Sequence, residues 1–302
     1  MNDVQTQDTV VTSAGVPLAA RVHRAATAGH DRQPAVVVTG SWLTVKEQMP
    51  DLYAGRLAAA GFTALTFDFS GFGASGGEPV QTELPVRKMA DLAAVVDAAR
   101  SMSWVDPDRL GVVAVCASAQ YTLGALARGL PVGAFASVAG WFHDLATVAP
   151  FYGGADGVAD RLARAGAAAR TYAETGELVT VPAYAAGDPD AAMSVEMDYY
   201  ANPERGAVPR WRNAMSVLSW QPWLTYDAFA GLPGVSTPTL LVHSDDAVLP
   251  DNARRVADGL GRHATTVWAK GAQTDFYDQP AQVDLAVHAV VDHFTGTLGR
   301  SS

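Results

Sequence analysis

The hydrophobic pattern along the chain switches repeatedly between two periods. Uninterrupted apolar runs at residues 35–39 (AVVVT), 63–67 (TALTF), 110–115 (LGVVAV), 134–139 (AFASVA), 239–243 (TLLVH) and 265–268 (TTVW) read as strands. They lack the polar alternation of a half-exposed strand, which predicts burial on both faces of a mostly parallel sheet. Between them, residues 47–60, 86–100, 119–128, 251–260 and 281–294 carry apolar side chains at helical spacing. In the first of these, Met49, Tyr53, Leu57 and Ala60 share a face, Pro50 sits in the opening turn and Gly61 follows. A first turn has no use for the N–H that proline lacks, and glycine accepts the backbone that ends a helix. In the last, Val283, Val287, Val290, Val291 and Phe294 fall on one side. The alternation predicts an α/β fold, a mostly parallel twisted sheet with helices on both faces. Residues 10–12 and 18–23 read as an antiparallel pair at the start of the sheet, and Asp106-Pro107-Asp108 as a turn.

Residues 145–234 break the rhythm with Ala-rich helical segments (157–172) and an aromatic cluster, Tyr199, Tyr200, Trp211, Trp220, Trp223 and Tyr226. This predicts a helical cap inserted between two parts of one core, residues 1–144 and 235–302. Ligands of open α/β sheets bind beyond the carboxyl ends of the strands, so a cap there roofs the pocket. Trp141, Tyr199, Tyr200, Trp211, Trp220 and Trp223 are then candidates to contact an apolar, cyclic or aromatic small-molecule substrate. The alternative for each ring is packing in the cap's own small core.

Composition narrows the function. Of 302 residues 49% are hydrophobic, enough for a packed core, and the net charge is −10, which argues against nucleic acid or an anionic membrane surface as partner. No run approaches the ~18 apolar residues of a membrane span. The start of the chain is polar, and the expected location is cytoplasmic. The single cysteine excludes an internal disulfide and a Cys-rich metal site. Gly71, Gly73, Gly76 and Gly77 do not follow the first strand of a dinucleotide unit, and no metal-ligand spacing stands out, so neither cofactor nor metal is expected. A homodimer stays open.

The chemistry concentrates where the strand at 110–115 runs into Cys116-Ala117-Ser118-Ala119-Gln120 and then a helix. Small residues two positions either side of a nucleophile permit a sharp strand–turn–helix elbow, and Ala114 and Ser118 flank Cys116 in this way. Ser118 as nucleophile would bring Gln120 to a flank, a poor fit, so Cys116 is preferred. The helix amino end favours a thiolate and an oxyanion.

With this elbow, the chain resembles the α/β-hydrolase family, in its dienelactone-hydrolase-like, peptidase- and acetylxylan-esterase-like branch. Further carriers of the resemblance are Gly40–Gln48, Phe67–Gly77, His243–Pro250 and Gly271–Asp278. The resemblance implies Cys116 as nucleophile, Ser41 or Trp42 with Ala117 as oxyanion-hole donors, and Asp246, or its neighbour Asp245, as the acid. It also implies a histidine in Gly271–Asp278, where this chain has Gln273. Glutamine does not titrate near neutrality and cannot shuttle a proton. His143, beside Asp144, is a candidate relocated base or merely a tether for the cap. His243 reads as structural, and His23, His30, His263, His288 and His293 receive no catalytic role. Asp68 reads as tying its own turn, and Glu47 as a partner of a helix dipole. Two enzyme readings follow. One is a cysteine-dependent acyl hydrolase or transferase acting on an ester, thioester or lactone. The other is a non-hydrolytic epimerase, lyase, cyclase or isomerase, with secondary metabolism as a setting. A ligand-binding relative that has lost catalysis is the third.

Overall fold

The computed structural model describes residues 3–29 and 32–299; His30 lies outside them. In chain order the strands are β1 (Val4–Ser13), β2 (Val16–Ala25), β3 (Gln33–Thr39), β4 (Thr63–Phe67), β5 (Val105–Val115), β6 (Ala134–Val138), β7 (Thr180–Val181), β8 (Met215–Ser216), β9 (Thr239–Ser244) and β10 (Ala264–Ala269). Eight of them form one sheet in the order β1-β2-β4-β3-β5-β6-β9-β10. β1 and β2 form an antiparallel ribbon, β2 joins β4 antiparallel, and every later pairing is parallel. This is the α/β-hydrolase fold. Val36, Val37, Val38, Val112, Val113 and Val242 are fully buried, which is why their strands carry no polar alternation.

The main helices are α1 (Met49–Ala59), α2 (Pro85–Arg100), α3 (Ser118–Leu126), α4 (Leu145–Val148), α5 (Gly154–Thr175), α6 (Asp198–Ala201), α7 (Trp220–Leu224), α8 (Pro250–Leu260), α9 (Asp275–Asp278) and α10 (Pro280–Leu298). α1 and α10 pack together on one face of the sheet, and α2 and α3 together on the other. Proline opens α2, α8 and α10, at the position that needs no N–H donor.

One expected turn lies inside a strand. Val105 pairs with Gln33 and Leu110 with Ala35, so residues 106–109 bulge from β5 without ending it. The Asp108 N–H still donates to the Asp106 carboxylate at 3.2 Å, so the turn chemistry is present but is absorbed as a bulge.

The elements from α4 to α7, with the small β7–β8 ribbon, lie between β6 and β9 and cover the loops beyond the carboxyl ends of the strands. Trp223 stacks on Trp42 with centroids 4.1 Å apart and planes at 15°. The Trp211 Nε1–H donates to the Leu43 carbonyl at 2.9 Å. The Tyr200 hydroxyl lies 2.9 Å from Ser41 Oγ.

Candidate active site

β5 is the central strand, and the chain leaves it through Cys116 at φ +56° into α3. A non-glycine residue in this region costs about 1–3 kcal/mol and persists only where its surroundings enforce it. Here the Cys116 N–H donates to Val138 O at 3.1 Å, and its carbonyl accepts from Ala119 and Trp141 at 3.0 Å each. The thiol is 6% exposed and opens onto a cavity of about 330 Å³.

Ser41, Trp42, Ala117 and Tyr277 share the cavity lining with the thiol, and their N–H and hydroxyl groups act to lower its pKa. Ser41 Oγ lies 2.9 Å from the Tyr200 hydroxyl and 3.2 Å from that of Tyr277. Gln273 Nε2 donates to the Tyr277 oxygen at 3.1 Å and to Ala139 O at 2.8 Å, while its Oε1 accepts from the Val248 N–H at 3.1 Å. Burial pushes the Cys116 thiol up against these donors, so it is neutral near pH 7. Burial also holds the Tyr200 and Tyr277 phenols well above their usual range. The site therefore holds a neutral thiol on a cavity lined also by backbone N–H groups, hydroxyls and the Gln273 amide.

The loop after β3 is braced from below. Lys46 Nζ lies 2.8 Å from both Asp68 and Glu47. Asp68 also accepts the Lys46 N–H at 2.8 Å and the Ala74 N–H at 2.9 Å. Asp68 thus ties its turn, as the sequence suggests, and also the loop after β3. Glu47 is a partner of Lys46.

The other site candidates divide. Ser41, Trp42, Cys116, Ala117, Trp141, Tyr200, Trp223, Asp246 and Gln273 line the cavity. Asp246 is exposed there, whereas Asp245 is turned to Arg254. All three bonds of the Gln273 side chain go to Ala139, Tyr277 and Val248, so it does not bridge to Asp246 as a triad histidine would.

Three rings and one base fall outside the cavity lining. Trp220 is fully buried against Trp42 and Tyr152. Tyr199 packs edge-on against Tyr277, and Trp211 faces a second surface cavity beside Gly71 and Gly73. His143 is not brought to the thiol. Its Nδ1 accepts from Trp141 Nε1 at 2.6 Å, and its Nε2 donates to Trp223 O at 2.8 Å. Burial pushes it down to about 4, so it is a neutral tether between core and cap. His243 is likewise buried, with Nε2 on Gly140 O at 3.2 Å. The alternative nucleophile Ser118 is buried and donates to Gly40 O beneath the loop after β3.

Several lining residues carry no mark in the sequence reading: Phe151, Tyr152, Met193, Glu196, Met197, Val248 and Tyr277. Tyr277 had a usable signal, since it stands four residues after Gln273 across the turn into α9 and so shares a face with it. Among the described residues no three His, Cys, Asp or Glu side chains are placed to hold a metal ion. No helix among them is long and apolar enough to cross a membrane.

Residues 20–284 match the alpha/beta hydrolase family. The chain belongs to that family. This alpha/beta hydrolase is 29% identical over 287 residues to the uncharacterized protein YcjY of Escherichia coli (strain K12), covering 87% of this chain and 89% of YcjY. It is 34% identical over 120 residues, 39% of each chain, to the polyketide transferase claH of Penicillium crustosum. The crystal structure of the hypothetical protein PA2218 from Pseudomonas aeruginosa superposes on this alpha/beta hydrolase with a TM-score of 0.86 at 25% identity, covering 97% and 94% of the two chains.

Proposed function

We propose that this alpha/beta hydrolase is a cysteine-dependent acyl-transfer enzyme acting on an ester, thioester or lactone of an apolar organic compound. Cys116 attacks the carbonyl carbon, and the Trp42 and Ala117 N–H groups receive the developing oxyanion. The observation that carries this reading is the Cys116 elbow at φ +56° on a cavity that Ser41, Trp42, Ala117 and Tyr277 also line. Trp141, Tyr152, Trp223, Met193 and Met197 give that cavity mostly apolar walls, which suit a hydrocarbon or aromatic acyl group. With Gln273 where a general base would stand, hydrolysis of the acyl-enzyme is slow, and acyl-Cys116 persists long enough to meet a bound acceptor. The name of claH, a polyketide transferase, fits such a transfer and a setting in secondary metabolism. Asp246 and Glu196 lie along the cavity lining, where they meet the polar end of a substrate or acceptor.

The same donors without a base also support a second reading, the rearrangement of a carbonyl compound through an enolate held by those donors.

The test is covalent trapping. Incubation with p-nitrophenyl acyl esters should release about one equivalent of p-nitrophenol and add one acyl mass to the peptide containing Cys116; Cys116→Ala should give neither. No adduct on a thiol that still reacts with iodoacetamide overturns acyl transfer. An isomeric product of unchanged mass from a carbonyl substrate would favour the enolate reading.

A further inference from the structure

The Gln273 amide can sit only one way. Its Oε1 faces the Val248 N–H and its Nε2 faces the Ala139 carbonyl, and exchanging the two would set like against like. The second Nε2 hydrogen therefore goes to the Tyr277 oxygen, 3.1 Å away. That oxygen is an acceptor toward Gln273, so its own hydrogen is left for the other side, where Ser41 Oγ stands at 3.2 Å and the cavity shared with Cys116 opens. Tyr277 is 1% exposed and lines the same cavity as Cys116, so the phenol borders the space a substrate would fill.

We propose that Tyr277 is the catalytic acid of the Cys116 acyl transfer, and that Gln273 is a positioning residue holding the phenolic hydrogen on the reactive side. The assignment rests on the acyl-transfer reading above. The sulfur–carbon bond forms, and the carbonyl electron pair moves onto oxygen against the Trp42 and Ala117 N–H groups. On collapse the carbon–oxygen or carbon–sulfur bond to the leaving group breaks. The leaving atom takes the phenolic proton while the phenol oxygen takes the thiol proton. The products are acyl-Cys116, a protonated leaving group and a neutral Tyr277. Because the proton is handed on as it is received, no phenolate has to exist in this buried position, where its charge would be costly.

The test is the dependence on leaving group. Acylation of Cys116 is followed by mass spectrometry for esters and thioesters sharing one acyl group, from p-nitrophenol to simple alcohols and alkyl thiols. An acid matters most for the poorest leaving groups. Tyr277→Phe should slow the alkyl members about 100-fold or more and the p-nitrophenyl ester about 10-fold or less. Gln273→Met should tilt the series the same way by a smaller factor, and it serves where Tyr277→Phe does not fold. Equal slowing across the series in both variants assigns these residues to packing and overturns the proposal, while leaving acylation of Cys116 standing. Wild-type protein that never forms acyl-Cys116 removes the acyl-transfer reading itself, and this assignment with it.

Discussion

Replacing Gln273 by histidine puts an imidazole where the thiol has no base. The structural cost can be worked from the three hydrogen bonds that Gln273 makes to Ala139, Tyr277 and Val248. A histidine ring has two nitrogens, so it keeps at most two. One of the three partners is left without its hydrogen bond, at about 1–3 kcal/mol. For a chain of this size that lowers Tm by roughly 2–5 °C. The catalytic gain is larger. A positioned general base contributes about 100- to 10,000-fold, or roughly 3–5 kcal/mol of barrier. On the acyl-transfer reading the gain should fall on deacylation, because that reading already has the wild type acylate without a histidine at this position. In stopped-flow runs with p-nitrophenyl esters, wild type should give a burst of about one equivalent and then a slow phase. Gln273→His should keep the burst and speed the slow phase. That faster phase should rise with pH through the imidazole's ordinary value, about 6.5. A folded variant that acylates normally but whose slow phase is unchanged would refute the idea that a missing base limits turnover.

Four further outcomes follow from the structure. His143 is held neutral by burial, its value pushed down from 6.5 to about 4, so the unfolded chain binds the extra proton between those values. Stability should therefore fall as pH drops from 6.5 toward 4, by up to about 3 kcal/mol; urea titrations should find this slope reduced in His143→Gln. Asp68→Ala strips Lys46 of one of its two carboxylates and two N–H groups of their acceptor, and should cost about 3–5 kcal/mol by chemical denaturation. Cys116→Gly and Cys116→Ala should both lose acylation. The glycine variant should be about 1 kcal/mol the more stable, since only it escapes the left-handed strain at φ +56°; equal stabilities would mean that no strain is stored there. Trp223→Phe loses the Nε1 bond to Tyr152 at 3.1 Å and part of the Trp42 stack. It should raise KM for large acyl esters more than it lowers kcat.

The sheet was legible because its strands are buried on both faces. β4 was bounded at both ends, by Gly61 and Asp68, and matches the reading residue for residue. Residues 106–108 misled because Asp-Pro-Asp has the same local chemistry in a free turn as in a bulge; only the pairing of Val105 with Gln33 separates them. The elbow was legible from steric demands alone, since Ala114 and Ser118 flank Cys116 as a tight turn requires. The cavity walls were legible only in part. Aromatic identity carries no direction, so Trp220 and Trp223, both fully buried or nearly so in one short helix, looked equivalent although only Trp223 meets the cavity. His143 illustrates the same limit: proximity in sequence to Asp144 suggested a working pair, but Asp144 caps α4 and binds Arg255.

Three contacts between the cap and the loop after β3 fall on consecutive residues, Tyr200 on Ser41, Trp223 on Trp42 and Trp211 on Leu43. Lifting the roof to admit a bulky molecule by that side would peel all three from the segment that also presents the Trp42 amide. Movement of the roof on that side and the placing of the Trp42 amide are thereby coupled, since neither can shift without disturbing the other.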